Sequence, residues 1–92
     1  GVVSPQVAEE MAAGLAAKTG AKLCISVTGL AGPDGGSAEK PVGLAYIGVS
    51  YEGRLYAVKS YYRNVSRKWN RHYTLLRMLF EVYRLISPEK PA

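Results

Sequence analysis

The stretch Lys22–Gly43, KLCISVTGLAGPDGGSAEKPVG, decides how the rest of the chain is read. Its first seven residues, Lys22 to Thr28, are short, apolar and β-branched, the pattern of a strand buried on both faces. From Gly29 to Pro41 run 13 residues without periodicity, and four of the first eight are glycine. A loop of that length in a compact domain signals function or disorder. Crevices beyond the carboxyl ends of strands in open α/β sheets are where ligands bind. Glycines let the backbone approach a ligand and turn successive N–H groups toward an anion. The loop is not of the Walker type, because Lys40 follows Glu39 and no Gly-Lys-[Ser/Thr] occurs. A plain long connection between two strands explains the same residues, and both readings stay open at this point.

Working outward, Ser4 and Pro5 predict a helix start and Gly20 its left-handed end. The helix covers about 5–19, with Val7, Met11 and Leu15 as an apolar stripe and Ala8 and Ala12 beside it. Lys22–Thr28 is the first strand and 42–51 a second. Glu52-Gly53 makes a two-residue turn into a third strand at 54–62, placed nearer the sheet edge. From 66 to 86 the period becomes helical again. Trp69, Tyr73, Leu76, Phe80 and Tyr83 form one stripe, and His72, Leu75, Leu79, Val82 and Ile86 its neighbour, together a wide apolar face. Pro88 ends the helix. The expected fold is α/β, with helices packed on a small mixed β-sheet. The sheet reads as incomplete, since a first strand apolar on both faces needs neighbours on either side.

Composition narrows the classes further. Ninety-two residues, 48% hydrophobic and 21% charged, fit one small domain, too short for two and too apolar for disorder. No apolar run reaches the roughly 20 residues of a membrane-spanning helix, so no membrane partner is expected. The single cysteine, Cys24, excludes an intrachain disulfide and fits a reducing, cytoplasmic setting. With one histidine besides, no metal site and no cofactor are expected.

Arg67, Lys68 and Arg71 fall in the opening turns of the last helix, with Arg63 just before it. Cations there oppose the helix dipole, at about 0.3–1 kcal/mol each. The same arrangement suits a phosphate, and unexplained breaks of local rules mark functional sites. A solvated basic face in a chain of net charge +5 is the plain alternative. Nucleic acid ranks last: the cations gather at one helix end, and core packing explains several of the seven tyrosines. Cys24 reads as a small buried hydrophobe and His72 as a packed or boundary residue. Thr28, at the strand exit, is the hydroxyl selected as a catalytic candidate. No His–Asp pairing supports a triad.

Thr28-Gly29-Leu30-Ala31-Gly32-Pro33-Asp34-Gly35-Gly36, followed by Glu39-Lys40-Pro41-Val42-Gly43, resembles the signature of the CinA C-terminal domain, the nicotinamide-mononucleotide amidohydrolase or competence/damage-inducible family. Gly1-Val2-Val3-Ser4 and Val7-Ala8-Glu9-Glu10-Met11 resemble that family's lead-in helix, and Arg67 and Arg71 its arginine pair. The resemblance implies a three-layer α/β/α domain that hydrolyses the amide of nicotinamide mononucleotide, releases ammonia and serves pyridine-nucleotide recycling without a metal. Thr28, Gly29, Ala31, Gly32, Pro33, Gly35 and Gly36 would line the nucleotide site, and Arg67 and Arg71 would hold the phosphate. The family's strand and helix with a Thr-Ala-Glu-Ser-Cys-Thr-Gly-Gly-like motif, where its serine nucleophile lies, are absent from this sequence. Ser66 also stands where an acidic residue is usual.

Residues 1–92 are therefore expected to be one partial domain, inactive alone, that forms a homo-oligomer or pairs with the missing N-terminal segment. A noncatalytic nucleotide-binding or assembly module is the alternative reading.

Overall fold

The computed structural model describes residues 3–29, 43–62 and 66–87. Helix α1 (Pro5–Thr19) leads into strands β1 (Leu23–Thr28), β2 (Leu44–Tyr51) and β3 (Arg54–Tyr61), and helix α2 (Arg67–Ile86) closes the order. The Ser4 hydroxyl accepts the Val7 N–H at 3.1 Å, and Pro5 occupies a position where no N–H is needed. Gly20 ends α1 at φ +70°, and its N–H donates to the Ala16 carbonyl at 2.8 Å.

The sheet has the order β1-β2-β3 and every pairing is antiparallel, so no parallel pair makes it mixed among the described strands. Glu52 and Gly53 both take positive φ in the hairpin turn, 48° and 81°, the twist-matched form for a two-residue link. Register assigns the two faces. Cys24, Ser26 and Thr28 share one face with Tyr46, Gly48 and Ser50. Ile25 and Val27 share the other with Ile47 and Val49, which pair in turn with Val58 and Tyr56.

Helix α1 lies on the first face and approaches it closely. The Ser26 hydroxyl donates to the Ala8 carbonyl at 2.6 Å, and a β-carbon placed on Gly48 would sit 2.0 Å from that same oxygen. Only small side chains fit such a seam, so Ala8 and Ala12 are fully buried while Met11 and Leu15 stay nearly half exposed. The inward face of α1 is thus rotated from the Val7–Met11–Leu15 stripe read from the sequence.

Helix α2 lies on the opposite face, tied to it where the Tyr56 hydroxyl donates to the Glu81 carboxylate. The result is a sheet layer between two helices, with Ala45, Ile47 and Val49 fully buried at its centre. Strand β1 is not buried on both faces as expected. Cys24, Ser26 and Thr28 are covered on the α1 side, whereas Leu23, Ile25 and Val27 on the α2 side are half-buried.

The larger departure concerns α2. Its wide apolar face points away from the sheet. Asn70, Thr74 and Glu81 are buried instead, and eight large apolar or aromatic side chains from Trp69 to Ile86 are 37–67% exposed. His72, expected as a packed or boundary residue, is exposed on the helix surface, its ring edge-on to Trp69 at 5.4 Å.

Candidate functional site

Three chain segments meet at one end of the sheet. The first is the exit of β1, where Thr28 is buried and pairs with Tyr46. Gly29 follows at φ +100°, and a β-carbon there would lie 2.6 Å from Val3 Cγ1 and 2.9 Å from the Leu44 carbonyl oxygen. Both the left-handed backbone and the lack of space demand glycine.

The second segment is the start of β2. Gly43 sits at φ +94°, and a β-carbon on it would come 2.5 Å from the Tyr62 carbonyl oxygen and 3.8 Å from Asn70 Oδ1. Both ends of the glycine-rich connection are therefore glycines in a conformation other residues avoid. One packs against the beginning of β2, and the other against the end of β3 and the first turns of α2.

The third segment is the N-terminus of α2. The Ser66 hydroxyl accepts the Trp69 N–H at 3.2 Å, and its carbonyl accepts the Asn70 N–H at 2.8 Å. A serine thus does the capping for which an aspartate also serves, without adding a negative charge to the helix end. No acidic residue occupies the first turn. Arg71 is exposed, and Lys68 Nζ lies 6.0 Å from the centre of the Trp69 ring. The Tyr62 and Tyr73 rings, 5.2 Å apart, pack the end of β3 against this part of the helix.

Of the residues selected from the sequence, Thr28, Gly29 and Arg71 come to this end of the molecule. Ala31, Gly32, Pro33, Gly35 and Gly36 lie outside the described residues. Arg67 is the first residue of α2. Among the described residues no group of three or more His, Cys, Asp or Glu side chains is placed to hold a metal ion. No helix there is long and apolar enough to cross a membrane.

Sequence reasoning missed two polar groups. Asn70 is fully buried beside Gly43, and among the described residues neither carboxamide atom has a hydrogen-bond partner; the same holds for the hydroxyls of Ser60 and Thr74. Asn70 and Thr74 are four apart on one helix face, a spacing visible in the sequence but hidden there by the stronger apolar stripe. The second group is Glu81, nearly fully buried, which binds both Arg84 and Tyr56. The Arg84 guanidinium holds the Glu81 carboxyl below the usual carboxylate range, and burial together with Glu81 pushes the Tyr56 hydroxyl up. This cluster fastens α2 to β3 near the far end of the sheet. A cavity of about 620 Å³ lined by Tyr51, Arg54 and Arg84 lies at that end too, away from the glycine hinges.

Two helices on an antiparallel three-stranded sheet, with Gly29 and Gly43 at the same end of the sheet as the start of α2, define a small α/β domain. Its family follows from comparison with known proteins. The model of the CinA C-terminal domain matches residues 1–86, and the chain belongs to that family. It is similar to a competence-damage inducible protein of Clostridium novyi, with 47% identity over 79 residues, covering 86% of this chain and 19% of that protein. It resembles the crystal structure of the competence/damage inducible protein CihA from Agrobacterium tumefaciens with a TM-score of 0.77 and 39% identity, covering 88% of this chain and 52% of that one. The competence damage-inducible protein A (ComA) structure from Klebsiella pneumoniae shares the fold at a TM-score of 0.80 and 24% identity, over 96% of this chain and 55% of that one. The chain thus spans about half of the solved domains it matches, and a fifth of the Clostridium protein.

Proposed function

We propose that this chain supplies the nucleotide-holding half of a nicotinamide-mononucleotide amidohydrolase. The observation that carries the reading is the convergence of Thr28, the two glycine hinges and the cationic start of α2 at one end of the sheet. A mononucleotide presents a dianionic phosphate at one end and a neutral carboxamide at the other. The helix start, with Arg71 and Arg67, offers positive charge and backbone N–H groups to the phosphate. The glycine-rich connection, including Ala31, Gly32, Pro33, Gly35 and Gly36, lets backbone approach the sugar and ring.

Amide hydrolysis adds water across the C–N bond, leaving the carboxylic acid and ammonia. The step needs a nucleophile, a proton acceptor and donors for the developing oxyanion. Backbone N–H groups of the glycine-rich connection suit the last role. In this reading the nucleophile comes from polypeptide beyond these residues, and Thr28, at the exit of β1, is assigned to the reacting end of the substrate.

The test is Arg71→Ala in an assembly that turns substrate over. Loss of a charge-assisted contact of about 1.5–3 kcal/mol raises KM for the mononucleotide by roughly 10- to 100-fold, with kcat much less affected. An unchanged KM removes Arg71 from the phosphate role.

A further inference from the structure

We infer that the outward face of α2, together with the α2-side flank of β1, is the docking surface for the half of a CinA domain that this chain does not span. This holds whatever reaction the domain performs. Helix α2 turns Asn70, Thr74 and Glu81 toward the sheet and leaves Trp69, Leu76, Leu79, Phe80, Tyr83 and Ile86 about half exposed or more. Those positions fall on one continuous arc of the helix. With Tyr73 and Leu75 they expose on the order of 800 Å², beyond the 300–600 Å² of the largest patch on an ordinary monomer and close to one side of a standard interface.

A second surface lies on the same side of the sheet. Strand β1 pairs with β2 along one edge, and its Leu23, Ile25 and Val27, on the α2 side, are half-buried. An apolar helix face next to a half-covered strand fits a partner that adds a strand and packs helices over α2.

Charge selects the occupant. Helix α2 carries Arg67, Lys68, Arg71, Arg77 and Arg84 against the single Glu81, which Arg84 already engages. A two-fold contact between copies of α2 sets cation against cation, which opposes a second copy of the chain. About half of each matched crystal structure has no counterpart in this chain, and that polypeptide has to pack on something. A complementary half whose contacting helices carry apolar side chains flanked by carboxylates fits both the shape and the sign.

The test co-expresses this chain with the segment of the Agrobacterium CihA protein that this chain does not match. Mass is read by native mass spectrometry and affinity by sedimentation. The expected result is a one-to-one heterodimer. Leu79→Glu and Tyr83→Glu, both at exposed positions, weaken it by at least ten-fold while the circular dichroism of the chain is retained. Leu55→Glu, nearly half exposed on the α1 side of the sheet, leaves it intact. A homodimer of this chain broken by the same two variants overturns the proposal in favour of self-association. A heterodimer indifferent to them, or no association, overturns the proposed surface. Because the readout is mass rather than turnover, an intact heterodimer without amidase activity counts only against the proposed reaction.

Discussion

Gly48 and Gly14 show how differently one residue type acts in this molecule. At Gly48 the carbonyl of Ala8 already fills the space a methyl group needs. Gly48→Ala therefore pushes α1 off the sheet, at about 1–3 kcal/mol or more, lowering Tm by roughly 4–8 °C for each kcal/mol. Gly14 lies within α1, and nothing beyond its chain neighbours and the local helix backbone lies within 4 Å of where its β-carbon would be, so Gly14→Ala stabilises by about 0.5–1 kcal/mol. Thermal unfolding of the two variants should move in opposite directions, and a neutral Gly48→Ala would contradict the close seam. The sequence did not reveal which glycine was constrained, because neither its neighbours nor the β2 pattern encodes how near a helix passes. Gly29 was legible: it follows a buried strand directly and opens the connection.

Helix α2 was legible as a helix and illegible in its orientation. Ser66 and the 3.6-residue period gave its bounds within a residue, and its two apolar stripes are real. Periodicity records that a helix has an apolar side, not which neighbour that side meets. In this chain the sheet takes the polar face, held through Glu81. Ionised Glu81, bound by Arg84 and Tyr56, has its affinity for protons lowered in the fold. The stability this gives is present above the ordinary carboxylate value of 4.5 and is lost as pH falls through the lower folded value. Tyr56 behaves oppositely, its contribution present below about 10 and lost as pH rises through its raised value. Glu81→Gln should cost about 1–3 kcal/mol at pH 7, with the difference from the parent shrinking below pH 4. Melting curves across pH 3–8 check this, and a gap independent of pH would show that Glu81 acts through shape alone.

As a whole, the chain matches the CinA domain model over residues 1–86 and spans about half of the solved structures it resembles. The α/β class was legible because turn signals, caps and the change of period punctuate the elements. The burial of β1 was not legible, because an apolar run does not distinguish a strand covered on both faces from one whose α2 side is only half-buried. The candidate site was legible only as breaks of local rules, by glycine at Gly29 and by charge at the start of α2. Asn70 and Thr74 lie beneath that helix start as buried polar groups, and no sequence rule distinguishes them from surface residues on a basic helix.

The most direct test of the account is ammonia release from nicotinamide mononucleotide by this 92-residue chain, freed of longer species, alone and with the complementary half. The account predicts no release from the chain alone and release once the second half is bound. Release by the chain alone would contradict it, placing every catalytic group within these residues and making Thr28 the leading nucleophile.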